Sequence, residues 1–111
     1  GEMTMAGETI QWHHIGDNQS YIAVQSGGRG KVSDWKTSWT GVKHIGFVVP
    51  DLNSLIKRLA DCGYDVDHFG GDHPYRKSAY FLEPHGIQFE FTEYLSSSDS
   101  ERNDYSLPRS E

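Results

Sequence analysis

From Val42 to Val49 the chain is apolar and largely β-branched, a pattern that predicts a strand. Pro50 ends it. Asp51 is placed to cap a helix by accepting hydrogen bonds from its first free amides. Leu52, Leu55, Ile56, Leu59 and Ala60 then fall at i, i+3, i+4, i+7 and i+8, one stripe of a helix over Leu52–Cys62. Gly63 suits the position just past its end, because glycine takes a left-handed conformation without steric cost.

Three further strands are predicted after this helix. The first is Tyr64–Phe69, closed by Gly70-Gly71, and the second is Lys77–Leu82. A Glu83-Pro84-His85-Gly86 turn leads into Ile87–Tyr94. That last strand alternates, with Ile87, Phe89 and Phe91 on one side and Gln88, Glu90 and Thr92 on the other. From Leu95 onward the sequence is polar and aperiodic, which predicts a loose tail with at most a short helix. Before Gly41 the pattern is thinner. Met3–Met5, Ile10–Ile15 and Ser20–Gln25 each read as a strand, and the glycine-bearing stretch that follows reads as a linker.

The expected organisation is therefore α+β. Residues 1–26 form a partial first unit of three strands, 27–40 a linker, 41–94 a complete strand–helix–three-strand unit, and 95–111 a polar tail. The segment Ser20–Gln25 resembles Ile87–Thr92 in length, position and alternation, so the first unit reads as a repeat of the second without its leading strand and helix. A chain of that kind is expected either to follow a natural strand and helix or to be completed by a second copy, since unpaired strand edges invite pairing.

Composition narrows the function. Sixteen acidic against ten basic residues leave a net charge of -6. That excludes a strongly basic surface for nucleic acid or anionic membrane and suits a cationic small ligand. No apolar run approaches the roughly 20 residues that span a bilayer. The single cysteine, Cys62, forms no internal disulfide, and its place beside the apolar stripe of the helix suggests packing. The expected compartment is the cytoplasm. A hydrophobic fraction of 35% supports a modest core that a partner subunit would help to complete, which favours a homodimer.

Period two puts His44, Gly46 and Val48 on one face of their strand and Ile45, Phe47 and Val49 on the other. The helix suits the Ile45 face. His44 then points to the opposite side, where Gly46 leaves space for a ligand, and Glu90 likewise stands opposite Phe89 and Phe91. Imidazole and carboxylate are ordinary ligands of divalent metals, so the pair forms a partial metal site. The same pattern also describes the solvated side of a sheet. His13 and His14 point to opposite faces of one strand, and His68, His73 and His85 fall at strand ends or turns, where a solvated histidine is the usual finding. Trp12, Trp35, Trp39, Tyr75 and Tyr80 suit a pocket wall or a packed interior equally.

The stretches "HIGFVVPDLNSLIKRLADCGYDV" and "SAYFLEPHGIQFEFTEYL" resemble the C-terminal βαβββ unit of the vicinal oxygen chelate superfamily. That group holds glyoxalases, extradiol dioxygenases, fosfomycin-resistance thiol transferases, methylmalonyl-CoA epimerases and bleomycin-resistance proteins. The resemblance implies paired βαβββ units, of which this chain carries one complete and one partial. It implies a divalent metal, Zn, Ni, Mn or Fe, with His44 and Glu90 as ligands and Glu90 as the catalytic residue. Ala23 falls where the first unit's last strand would supply a ligand, and Gln25, two residues on, is the substitute. The implied function is lyase, isomerase or dioxygenase chemistry on a small substrate with adjacent oxygens. The alternative is a metal-free protein of the bleomycin-resistance type that sequesters a small molecule.

Overall fold

In the computed structural model, which describes residues 1–106, the alternating pattern of the first thirty residues becomes a three-stranded antiparallel meander. Its strands are β1 (Glu2–Met5), β2 (Glu8–Gly16) and β3 (Tyr21–Gln25). The β1–β2 connection is the two-residue turn Ala6-Gly7, with φ of +48° and +80°. Turns of this mirror-image kind match the twist of the flanking strands. The β2–β3 connection is held by Asp17, whose Oδ1 accepts from the amides of Gln19 and Ser20 at 2.8 and 3.0 Å. No residue of this unit is buried.

Residues 31 onward form a second compact unit. It comprises β4 (His44–Val48), α1 (Leu52–Asp61), β5 (His68–Phe69), β6 (Arg76–Leu82), β7 (Gln88–Tyr94) and α2 (Asp99–Arg102). The four strands form one sheet in the order β4-β7-β6-β5. β4 runs parallel to β7, and the other pairs are antiparallel. The protein is thus α+β, with two sheets and few helices. Among the described residues no helix is long and apolar enough to cross a membrane.

The buried apolar core is Leu52, Ala79 and Phe81, with Val49, Leu55, Ile56, Leu59, Val66 and Phe91 packed against it. Phe91 stands 5.8 Å from both the Phe47 and Phe81 rings, stacked on the first and edge-on to the second. The helix lies mainly over β6 and β7 rather than over Ile45 and Phe47 of β4. The physical reason is the strand order. β4 is an edge, whereas β6 and β7 are the inner strands, and a single helix removes most apolar area over the middle of a sheet. Leu55 and Leu59 are therefore only half-buried, and Leu52 is the helical residue that is fully enclosed.

Two carboxylates serve the first turn of α1. Asp51 accepts from the Ser54 amide at 3.0 Å and from the Ser54 hydroxyl at 2.9 Å. Glu93, projecting from the helix-facing side of β7, accepts from the Leu52 amide at 2.8 Å. The Ser54 amide, helped by its hydroxyl, holds the Asp51 carboxyl below the ordinary aspartate value of 3.8. Gly63 follows the helix with φ of +91°, as its position suggested.

Four features depart from the sequence reading. The strand expected over Tyr64–Phe69 shrinks to His68–Phe69, because only that end pairs with β6, as His68↔Tyr80 and Phe69↔Ala79. Cys62 caps the helix but is exposed and not packed. The expected linker is split between the units, and its second part folds with the second unit. There the Val32 amide donates to the His85 carbonyl at 2.9 Å. The tail contains the short helix α2 and continues past it in ordered contact. The His73 Nε2–H donates to the Asp104 carbonyl at 2.9 Å, and Arg76 Nη1 donates to the Arg102 carbonyl at 2.8 Å. The part of the expected tail beyond 106 lies outside the described residues.

Truncating the enclosed helical side chain, Leu52→Ala, should lower the unfolding free energy by about 2–5 kcal/mol. Leu55→Ala and Leu59→Ala should cost less, since more of each side chain already meets water. Denaturant titration of the three variants measures this, and an equal loss at all three would refute the placement of the helix. The Asp51 cap gives a second expectation, about pH. A depressed carboxyl contributes stability above its unfolded pKa, and that contribution disappears as pH falls through the folded value. Asp51→Asn keeps a capping oxygen without the charge. The stability gap between wild type and this variant should therefore be full at neutral pH and close below about the ordinary aspartate value. A gap that persists unchanged into acid would assign the cap's effect to something other than its charge.

Candidate functional site

The register of the second sheet decides what shares its open face. His44 aligns with Gln88 and Gly46 with Glu90 across the parallel pair, while Tyr80 aligns with Glu90 across the antiparallel one. With alternation, His44, Gln88, Glu90, Tyr80 and His68 all project away from the helix. His44 and Glu90, widely separated in sequence, are brought together, with His44 Nε2 lying 3.4 Å from Glu90 Oε1. The imidazole is the more open of the two, with side chains 39% and 19% exposed.

Glu90 is held on its other oxygen. The Tyr80 hydroxyl donates to Oε2 at 2.8 Å. Oε1 is thereby left turned toward His44. A Cβ built at Gly46 would stand 3.4 Å from Glu90 Oε1. That is van der Waals distance, so the Glu90 carboxylate borders the space above Gly46 that the sequence reading assigned to a ligand.

The 3.4 Å separation of these two donor atoms matches the spacing of two ligands on one metal ion. Ligand atoms bonded at about 2.1 Å stand about 3.0 Å apart at a right angle and about 3.4 Å apart at the tetrahedral angle. The Tyr80–Glu90 contact is the kind of outer hydrogen bond that orients a ligating carboxylate. His44 and Glu90 supply two donors. Among the described residues no group of three or more His, Cys, Asp or Glu forms. Gln25, the third ligand implied by the resemblance, lies at the end of β3 in the N-terminal unit, exposed and opposite Trp12.

Beside the pair is a cavity of about 610 Å³. Its wall includes His44, Tyr80, His68, Trp35, Lys36 and Lys43, while Glu90 stands behind it rather than on it. The sequence reading treated His68 as solvated, and this is a residue it missed. Its ring lies 4.4 Å from that of Tyr80 and 4.6 Å from that of Trp35, with interplanar angles of 5° and 14°. Its Nδ1 meets Asp67 Oδ2 at 2.8 Å. The available signal was the parity of Tyr80 against Glu90. Any strand paired beyond β6 had to bring a residue to the same face, but the short β5 carried no alternation of its own. His85 is different and matches the solvated reading, since it sits at the turn against Glu83 at 2.8 Å and is largely exposed.

His13 and His14 do take opposite faces of β2, and His14 stacks on Tyr21 at 3.9 Å within the N-terminal unit. His73 is half-buried and serves the C-terminal segment rather than solvent. Its Nδ1 accepts from the Tyr75 amide at 3.1 Å. The Tyr75 phenol is raised by its hydrogen bond to Glu101, and the Ser96 hydroxyl and Tyr75 lower the Glu101 carboxyl in turn.

The chain resembles a solved structure in fold. The crystal structure of SMU.1112c superposes on it with a TM-score of 0.59 and 21% identity, over 74% of this chain and 68% of that one. The likeness is one of fold. No protein-family model matches the chain, and no curated protein matches it by sequence.

If the Tyr80 hydroxyl orients Glu90, Tyr80→Phe should cost about 1–2 kcal/mol, because a half-buried carboxylate loses a donor. Chemical denaturation measures that loss. A crystal structure of the variant should show the carboxylate turned away from His44. An unchanged stability and an unmoved Glu90 would remove Tyr80 from the site.

Proposed function

We propose that the protein acts on small molecules in the manner of the vicinal oxygen chelate superfamily, with a divalent metal bound at His44 and Glu90. The observation that carries this reading is the 3.4 Å approach of His44 Nε2 to Glu90 Oε1 on the open face of the β4-β7-β6-β5 sheet. A metal ion such as Zn, Ni, Mn or Fe would supply Lewis acidity to adjacent oxygens of a substrate. His44 would hold the ion through Nε2 and Glu90 through Oε1. Tyr80 would fix the carboxylate through Oε2, and Glu90 would be the residue placed to accept or return a proton. The chemistry consistent with this set is lyase, isomerase or dioxygenase chemistry.

The active species in this reading is a homodimer. The second unit encloses three apolar residues, Leu52, Ala79 and Phe81, and the first unit encloses none. Large apolar side chains stay open on both, among them Ile15, Tyr21 and Val24 in the first and Val42, Val48 and Phe69 in the second. Exposed apolar surface of this kind favours association.

A second reading, metal-free sequestration of a small molecule in the bleomycin-resistance manner, is favoured by the cavity wall. It is built from rings and ammonium groups more than from metal ligands. One measurement separates the two. Protein purified without chelator is subjected to elemental analysis, then titrated with divalent ions. The metal reading expects a stoichiometric ion and a loss of affinity of about tenfold or more in His44→Ala and in Glu90→Gln. Unchanged affinity in the His44 and Glu90 variants, or no stoichiometric ion in the wild type, would overturn the metal reading and leave sequestration.

A further inference from the structure

The segment from Lys31 to Lys43 has no regular structure, yet it is tied to the second unit. Val32 is bonded to the His85 carbonyl, and the Asp34 carbonyl accepts from Trp39 Nε1 at 3.0 Å. This course puts Trp35, Lys36 and Lys43 on the cavity wall. The rings of Trp35, His68 and Tyr80 make a nearly parallel stack, with 4.6 and 4.4 Å between successive centroids. His44 meets Tyr80 edge-on at 5.6 Å. A cavity of this volume suits a molecule of drug size or smaller; His68 is enclosed between Trp35 and Tyr80, so a flat guest meets the outer side of the stack.

The cavity wall is richer in cationic side chains than the chain as a whole, although the Glu90 carboxylate meets the Tyr80 hydroxyl beside it. Within a protein of net charge -6, the wall carries Lys36 and Lys43. Its one carboxylate, Asp67, is already joined to His68 Nδ1 at 2.8 Å. Lys43 Nζ lies 4.1 Å from the Trp39 ring centroid and donates to the Thr37 carbonyl at 2.7 Å. An ammonium has three N–H groups, so that contact fixes its position and leaves donors for an anion. Lys36 Nζ lies 5.8 Å from the Trp35 ring. Overall acidity favours cationic ligands at long range, but short-range recognition follows the groups on the wall.

We propose that this cavity binds a planar conjugated acid, its ring against the Trp35–His68–Tyr80 stack and its anionic group on Lys36 and Lys43. The inference rests on the reading of the His44 end of the open face as the working site, but it does not require the metal. The two ammonium groups set the sign of the ligand's charge. The stacked rings set its flatness.

The test is a fluorescence and calorimetric titration of the whole chain in chelator, with three probes at constant pH. Naphthoate carries both features, naphthylmethylammonium has the ring with the opposite charge, and cyclohexanecarboxylate has the charge without the flat ring. Naphthoate should bind and change tryptophan emission, and each of the other two should bind at least about tenfold more weakly. Lys36→Gln combined with Lys43→Gln should weaken naphthoate by about tenfold while leaving the circular dichroism spectrum and melting temperature unchanged. His68→Ala should weaken it as well, with the same folding controls. Equal binding of the ammonium probe, no binding of naphthoate by folded protein, or unaltered affinity in the double lysine variant would each overturn the proposal. Because chelator is present throughout, failure here leaves the metal reading intact, and failure of metal binding leaves this one intact.

Discussion

The parallel pairing of β4 with β7 is the constraint on which the second unit depends. It joins the strand before the helix to the last strand of the sheet, and so ties together residues more than forty positions apart, such as His44 and Gln88. Alternation then makes a single choice for both strands. Phe47 and Phe91 turn toward α1, and Gly46 and Glu90 turn away. A slip of one residue between the two strands would move Glu90 to the apolar side and separate it from His44. The core and the candidate site are therefore consequences of one register.

Around that pair, several polar groups are held by partners remote in sequence. Glu90 divides its two oxygens between His44 and Tyr80. Glu93, three residues on and facing the other way, closes the first turn of the helix through the Leu52 amide. The two carboxylates of β7 thus serve opposite sides of the sheet. One completes the helix that covers the core, and the other shapes the open face. A half-buried carboxylate needs hydrogen-bond donors to offset its lost hydration, and each of these two is met by one.

The segment before β4 gives the open face its chemical character. Without it the face would present His44, Tyr80, Gln88, Glu90 and His68. With it, the wall gains an indole and two ammonium groups. The connection at Val32–His85 and the Trp35–His68 stack bring this about, and neither involves regular secondary structure. Ring stacking and one backbone hydrogen bond here do the positioning that strands do elsewhere.

Much of this was determined by the sequence alone. The helix was legible because Leu52, Leu55, Ile56 and Leu59 recur at helical spacing between Asp51 and Gly63, and local signals of that kind need no tertiary context. That His44 and Glu90 both face away from the helix was legible too, because period-two alternation assigns each strand's faces before the strands are put together. Other features were decided only by the tertiary structure. The position of α1 over β6 and β7 follows from strand order, which alternation does not encode. The brevity of β5 follows from its own course along β6, which runs on from Arg76 to Leu82 while only His68 and Phe69 pair with it. The places of His68 and Trp35 follow from stacking between segments far apart in the chain. Local periodicity specifies which side of an element a residue takes. Which element lies on that side depends on long-range pairing and packing, whose free energy is gained only when the chain closes on itself.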